Sequence, residues 1–436
     1  MDERNVGLGM RPSARVLALF AVAAVLAACG GGGASSEERG QVGDADLEVQ
    51  VASVTERAEP TIVDARDVGA VGDATAAFGL DLFQQVVSVE DGNVIVGPYS
   101  AWLALAMTTV GASGSTYDEL ATALRFPLEE ERLLPAVNAL DRTLTHHADD
   151  ETVTFNVANR LWGQRGMTFQ RPFLDAMVEH FGAPLAVADF ASDPESGRAQ
   201  INGWVDQRTD GKVPELLPAG VIDSNTELVL VNAVHLDAPW ELAFDPDQTA
   251  PGPFTRIDGS TVRTELMHYD QYLPTAVDEA WAAVELPYEG GGLSMVVVVP
   301  NDYAAFEGGL DEATLDDILG RISDGGVHLT LPRFSFSTHA SLTGPLQAMG
   351  VASAFDRAAA DFGRMTEGGG LFVDAVEHEA FIDVNEEGTE AAASTGVVMA
   401  GSHGPTIDAS RPFLFLIRDR ATNAILFMGR VLDPET

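Results

Sequence analysis

The sequence predicts an α+β fold, and three observations carry that expectation. Stretches with apolar residues at helical spacing, such as 74–88 and 194–208, are interspersed with strand-like runs. The run 226–236 is almost continuously apolar, which suits a central strand covered on both faces, and 293–300 is nearly as apolar. The chain has 436 residues, 46% of them hydrophobic, enough for one large domain or two ordinary ones.

Taken in order, Phe78, Leu82, Phe83 and Val86 share one helical face, and the helix closes near Asp91-Gly92. Residues 93–96 read as a short strand. Gly97-Pro98-Tyr99-Ser100 then opens a helix running through Met107, with Ser100 predicted as its N-cap. The run 111–116 reads as a loop into a capped helix at 117–120. Residues 155–162 form a strand, 169–181 a helix and 184–190 another strand. An amphipathic helix over 194–208 carries Ile201, Trp204 and Val205 and ends at Asp210-Gly211. On local pattern alone Trp240 is a core residue and Asn232 a satisfied buried amide. A hairpin pairs 281–288 with 293–300 around Gly290-Gly291-Gly292. Residues 327–336 alternate as one strand interrupted by Pro332, 342–349 make a short helix, and 375–385 a strand. No internal repeat is visible.

The stretch after that last strand, 386–403, is the unusual one. From Thr389, alternate positions (Thr389, Ala391, Ala393, Thr395, Val397, Met399) are uncharged and begin small, as a strand sliding between two neighbours requires. Gly388, Gly396, Gly401 and the alanine run nevertheless make it a poor strand by propensity. Two readings stand on pattern alone, a flexible linker and an element with two states.

The run Glu386-Glu387-Gly388-Thr389-Glu390-Ala391-Ala392-Ala393 resembles the hinge of the serpins, and 411–417 with 427–431 resembles their C-terminal strand pair. The similarity spans about 74–434. It implies a domain over 72–436 with about nine helices around three sheets, a large central sheet A, and an exposed reactive-centre loop at about 386–408. It further implies a suicide substrate: a serine protease acylates on the loop, which inserts into sheet A and traps the acyl-enzyme. Ser100, Asn232 and His378 match the polar shutter where the sheet parts, and Trp240 the breach where the loop enters. The family's Ser-Pro-x-Ser keeps Pro98 and Ser100 here but has Gly97 in its first place. His378 would bond the seam, and its titration near neutrality would loosen the sheet in acid. Loop length puts the reactive bond at Ser402-His403, with Gly401-Ser402 second. Met399-Ala400 would shorten the inserting arm by three residues, about 10 Å. With no Arg or Lys near the bond, the expected targets are subtilisin-, elastase- or chymotrypsin-like.

The N-terminus reads as a processing segment. Arg11 and Arg15 precede an apolar run ending Leu26-Ala27-Ala28-Cys29-Gly30, which resembles a bacterial lipoprotein box. Residues 1–28 would be the signal peptide. Cys29, the only cysteine, would carry the lipid that anchors the protein to a bacterial cell envelope, at the outer membrane or an outer face, with release to the outside as the alternative. The Gly/Ser/Glu-rich stretch 29–71 reads as a flexible tether. A net charge of −41, with Lys212 the only lysine, excludes nucleic acid and heparin-like polyanions as partners and reads as adaptation to a saline medium. Catalytic and metal motifs are missing. His146-His147 before Asp149-Asp150 reads as a solvated turn, position 209 is Thr209 and so breaks any S-x-x-K at Lys212, and Ser115 spoils a G-x-S-x-G elbow at 111–115. The expectation is a monomeric inhibitor with no cofactor, not an enzyme.

Overall fold

The computed structural model describes residues 47–59, 63–147, 153–389 and 404–435. Among them are nine α-helices and three sheets. Sheet A runs β11 (Phe334–Ser341), β12 (Ala375–Val384), β13 (Gly388–Thr389), β4 (Leu228–Pro239), β2 (Thr154–Gln164), β3 (Ala186–Ala188). It is antiparallel except for the β2–β3 and β12–β4 pairings. A second sheet runs β1 (Val94–Val96), β16 (Ile425–Val431), β15 (Phe413–Asp419), β9 (Leu293–Pro300), β8 (Trp281–Pro287), β7 (Thr275–Val277). The third runs β14 (Thr406–Asp408), β10 (Gly326–Pro332), β6 (Thr261–Tyr272), β5 (Ala250–Thr255).

The helices are α1 (Ala65–Val87), α2 (Pro98–Val110), α3 (Gly114–Ala123), α4 (Glu130–His147), α5 (Arg171–Phe181), α6 (Pro194–Arg208), α7 (Tyr303–Gly309), α8 (Glu312–Arg321) and α9 (Thr343–Ala348). Every residue of α2 is buried, so this helix is apolar all round and sits at the centre of the molecule, touching α1, β2, β4 and β16. On the opposite face of sheet A, Ile201, Trp204 and Val205 of α6 pack on Ala158, Val229 and Val231.

Several expectations are corrected. Ser100 is not an N-cap: α2 starts two residues earlier, with Pro98 in its first turn after Gly97, so Ser100 lies inside the helix. The single strand over 327–336 is two strands in different sheets. Pro332 ends β10, and the chain crosses to sheet A at Arg333 before β11 begins. His146 and His147 close α4 rather than forming a turn. The tether ends earlier than 71, because 65–71 are the first turns of α1, capped by the Asp64 carboxylate. Residues 47–59 are also bonded to the domain, through Gln50 N–H to Leu185 O (2.9 Å) and Arg57 to Asp141 (2.6 Å). Cys29, the signal segment and the tether before 47 lie outside the described residues.

Candidate functional site: the seam of sheet A

β12 and β4 are parallel neighbours over part of their length only. Their register runs from Ala375–Val229 to Ala380–Val234 and stops. Four residues further up β12, the chain turns at 385–388 and folds back between the two strands. Thr389 pairs with Val384 on one side and Ala238 on the other, and Gly388 with Pro239. This two-residue strand is antiparallel to both neighbours, so a chain continuing past Thr389 as strand would run down the seam.

Gly388 is there because nothing larger fits: a Cβ would come within 2.2 Å of Ala238 O and 2.6 Å of Pro239 Cα. Thr389 is 1% exposed, and its hydroxyl meets the Tyr288 hydroxyl at 2.7 Å. Tyr288 in turn stacks on Trp240, with ring centroids 4.6 Å apart and planes 12° from parallel. The Trp240 indole N–H donates to Asn385 O (3.0 Å), and its backbone N–H to Glu387 O (2.9 Å). Glu386 is buried and takes two hydrogen bonds from Arg333, at 2.6 and 2.9 Å, and one from the Thr249 hydroxyl. Burial pushes its carboxyl up, but the Arg333 and Thr249 bonds more than offset this and hold it below the ordinary value. The turn is therefore fixed at its apex by an ion pair and at its base by an aromatic stack.

Lower in the seam lies a buried polar cluster. His378 pairs in register with Asn232 across the β12–β4 ladder. Its Nδ1 contacts Asn232 Oδ1, and its Nε2 accepts the Gly97 N–H at 3.0 Å. An imidazole that accepts at Nε2 and meets a carbonyl oxygen at Nδ1 is neutral, with its proton on Nδ1. Asn232 Nδ2 donates to Ser100 Oγ and Asn159 Oδ1, while Asn159 Nδ2 donates to Ser100 O (2.9 Å). Gly97, in the place of a serine, supplies its bond from the backbone, and a Cβ there would come within 2.6 Å of Val234. Burial above all, with His339 adding to it, lowers the His378 pKa to about 3. The imidazole thus stays neutral in the folded protein at ordinary pH, instead of titrating near neutrality.

Of the residues singled out in the sequence, Ser100, Asn232 and His378 meet in this lower cluster. Trp240, Glu386, Gly388 and Thr389 meet at the upper end. Glu390, Ala391, Ala392, Ala393, Gly401, Ser402 and His403 lie outside the described residues, as do Met399 and Ala400. The chain reappears at Gly404, which lies against Gly326 so closely that a Cβ would come 1.7 Å from its carbonyl oxygen, and β14 follows beside β10. Sequence reasoning missed Asn159, Arg333 and Tyr288. Asn159 alone had a signal, being the polar residue on a strand face shared with Phe155 and Leu161.

Comparison with known proteins shows which family carries this fold. A family model described as "Serpin (serine protease inhibitor)" matches residues 73–434. This chain belongs to the serpin family. Leukocyte elastase inhibitor A of Mus musculus is 35% identical over 378 residues, covering 83% of this serpin and 98% of the relative. Uncleaved ovalbumin is similar in structure, with TM-score 0.76 and 25% identity, covering 84% of this chain and 100% of the other. Tengpin, a thermophilic serpin in its native state, gives TM-score 0.76 and 27% identity, covering 87% and 96%. The family consists largely of protease inhibitors rather than catalysts and includes members that do not inhibit.

Proposed function

We propose that this serpin inhibits a serine protease as a suicide substrate. The observation that carries the reading is the seam: a turn at 385–388 already feeds Gly388 and Thr389 between β12 and β4, antiparallel to both. Attack on the loop forms an ester between the protease serine and the residue before the cut bond, releasing the new amine terminus. The freed arm continues the strand begun at Thr389 and replaces a short parallel ladder by two antiparallel ones, the more stable pairing per residue. About a dozen inserted residues, at about 0.5–1.5 kcal/mol net per hydrogen bond, release on the order of 10 kcal/mol. That equals the whole stability of an ordinary domain, enough to distort an attached active site before the ester is hydrolysed. The native state is then held by a kinetic barrier.

The reactive bond in this reading is Ser402-His403, with Gly401-Ser402 second, and the targets are subtilisin-, elastase- or chymotrypsin-like enzymes. Ser100, Asn232 and His378 act as the shutter, Trp240 as the breach, and 386–393 as the hinge. Cys29 carries a lipid that holds the monomer outside the cytoplasm, and the acidic surface turns polyanions away. The test is incubation with a subtilisin- or elastase-like protease, followed by denaturing electrophoresis and mass spectrometry of the released peptide. An SDS-stable complex with the cut at 402–403 supports the proposal. Loop cleavage without a complex makes this a non-inhibitory serpin.

A further inference from the structure

The segment that follows α6 packs over the seam. Its Val213, Leu216 and Leu217 are buried with Trp204 of α6 in one cluster with Trp162 of β2 and Val231 of β4. Asn202 of α6 ties it down twice, accepting from the Leu217 N–H (2.8 Å) and donating to Leu217 O (3.0 Å). Asp210 accepts from Asn156 of β2 at 2.8 Å. All these anchors belong to α6 and to the β4–β2 side of the seam.

A hydrogen bond from His339 on β11 reaches the other side. Its Nε2 lies 2.9 Å from Leu216 O and 3.3 Å from Glu377 Oε2 on β12. Lys212 crosses as well, over the Phe381 ring at 5.2 Å. A strand inserted between β12 and β4 moves β11 and β12 away from β4 by one strand spacing, about 4.8 Å. Leu216, next to the Leu217 that Asn202 of α6 holds by both backbone groups, cannot follow, so its bond to His339 has to break for insertion to finish.

We propose that His339 is a proton-controlled clasp: as imidazolium, paired with Glu377 and bonded to Leu216 O, it holds the segment after α6 across the seam and slows loop insertion. The effect on insertion rests on the suicide-substrate reading; the clasp itself belongs to the uncut protein. The charged groups around the ring are Glu377 and Glu379 on β12, with His378 on the opposite face of that strand. On the covering segment Lys212 lies over Phe381, and Glu215 pairs with Arg198 (2.8 Å). The bond to Glu377 raises the His339 pKa above its ordinary value against a burial that lowers it. With the folded-state pKa raised, the clasp is fully closed below the unfolded value of about 6.5 and is lost as pH rises through the folded-state pKa. A neutral ring keeps an N–H donor but loses the charge assistance that roughly doubles such a bond.

Two measurements on the full chain test this between pH 5.5 and 8.5. In the first, an excess of subtilisin cuts the loop, and insertion is followed by stopped-flow tryptophan fluorescence in wild type and His339→Gln. Glutamine keeps a donor for Leu216 O without titrating. The ratio of the wild-type rate to the variant rate is expected to rise about tenfold from acid to alkaline pH. A constant ratio overturns the clasp. A cut chain that does not insert at either pH instead overturns the functional reading and leaves the second measurement to decide. That measurement is hydrogen-exchange protection of amides 209–217 in the uncut protein, corrected for intrinsic rates. Protection should fall as pH rises in wild type, and Glu377→Gln should shift that fall to lower pH. Protection independent of pH in wild type overturns the proposal without reference to inhibition.

Discussion

The two ends of one seam are closed by different means. At the lower end β12 and β4 pair directly over six residues, and the polar side chains between them (His378, Asn232, Asn159, Ser100) are fully buried or nearly so and satisfied by one another. At the upper end the two strands no longer pair directly, the ladder having stopped at Ala380 and Val234. A two-residue wedge keeps them apart, held by a stack of aromatic rings and an ion pair whose Arg333 side chain is 47% exposed. A buried, neutral, mutually bonded cluster resists parting, because opening it leaves polar groups without partners. At the upper end the backbones are already parted by the wedge, so a strand lengthening from Thr389 meets an open gap first. On the suicide-substrate reading proposed above, sheet A opens from the upper end and the closed lower end sets the barrier.

Changing the open end has the largest expected consequence. Thr389→Arg places a guanidinium where the side chain is 1% exposed and paired with Tyr288. The wedge is expelled and insertion cannot start, so loop cleavage continues while covalent complex falls at least about tenfold, as read by the ratio of cleaved to complexed serpin on denaturing gels.

The closed end responds to pH. Because the folded-state pKa of His378 is about 3, the unfolded chain binds the extra proton first as pH falls below about 6.5, and stability drops with it. At pH 5 this amounts to about 2 kcal/mol relative to neutrality. Denaturant titrations of wild type and His378→Gln at pH 7 and pH 5 should show that much more acid sensitivity in wild type.

The smallest effect belongs to the ion pair at the open end. Glu386→Gln removes the charge of a buried carboxylate but keeps an acceptor for the half-exposed arginine, a loss of about 1 kcal/mol, and should lower the melting temperature by about 1 °C in a scanning experiment. A loss as large as the His378 effect would make the two ends equal and break the comparison.

Much of this was legible in the chain. The ends of α6 and β9 fall where Pro194, Asp210-Gly211 and the Leu293–Pro300 run put them, because caps and apolar runs are local signals. Gly388 and Thr389 were singled out by the resemblance of 386–393 to the family's hinge, and the structure adds why the glycine is needed. What stayed hidden depends on partners distant in sequence. The first turns of α1 contain Gly69 and Gly72, which weaken a helix by propensity, yet a Cβ on Gly72 would strike Thr422 O at 2.0 Å. Helix α4 carries Pro135 in its interior, which argues against a helix until its apolar face finds the core. Arg333 is a lone arginine after a proline, and only the fold brings it to Glu386. Ser100 reads as a cap because capping chemistry is local, whereas its role in joining α2 to sheet A is not.

The account as a whole stands on free energy stored in an unfilled seam. Calorimetry on the intact chain and on the same chain cut once within the loop measures it directly. The account predicts that the cut chain melts well above the intact one, by about 10–15 °C if about 10 kcal/mol is released. Equal melting temperatures would contradict it.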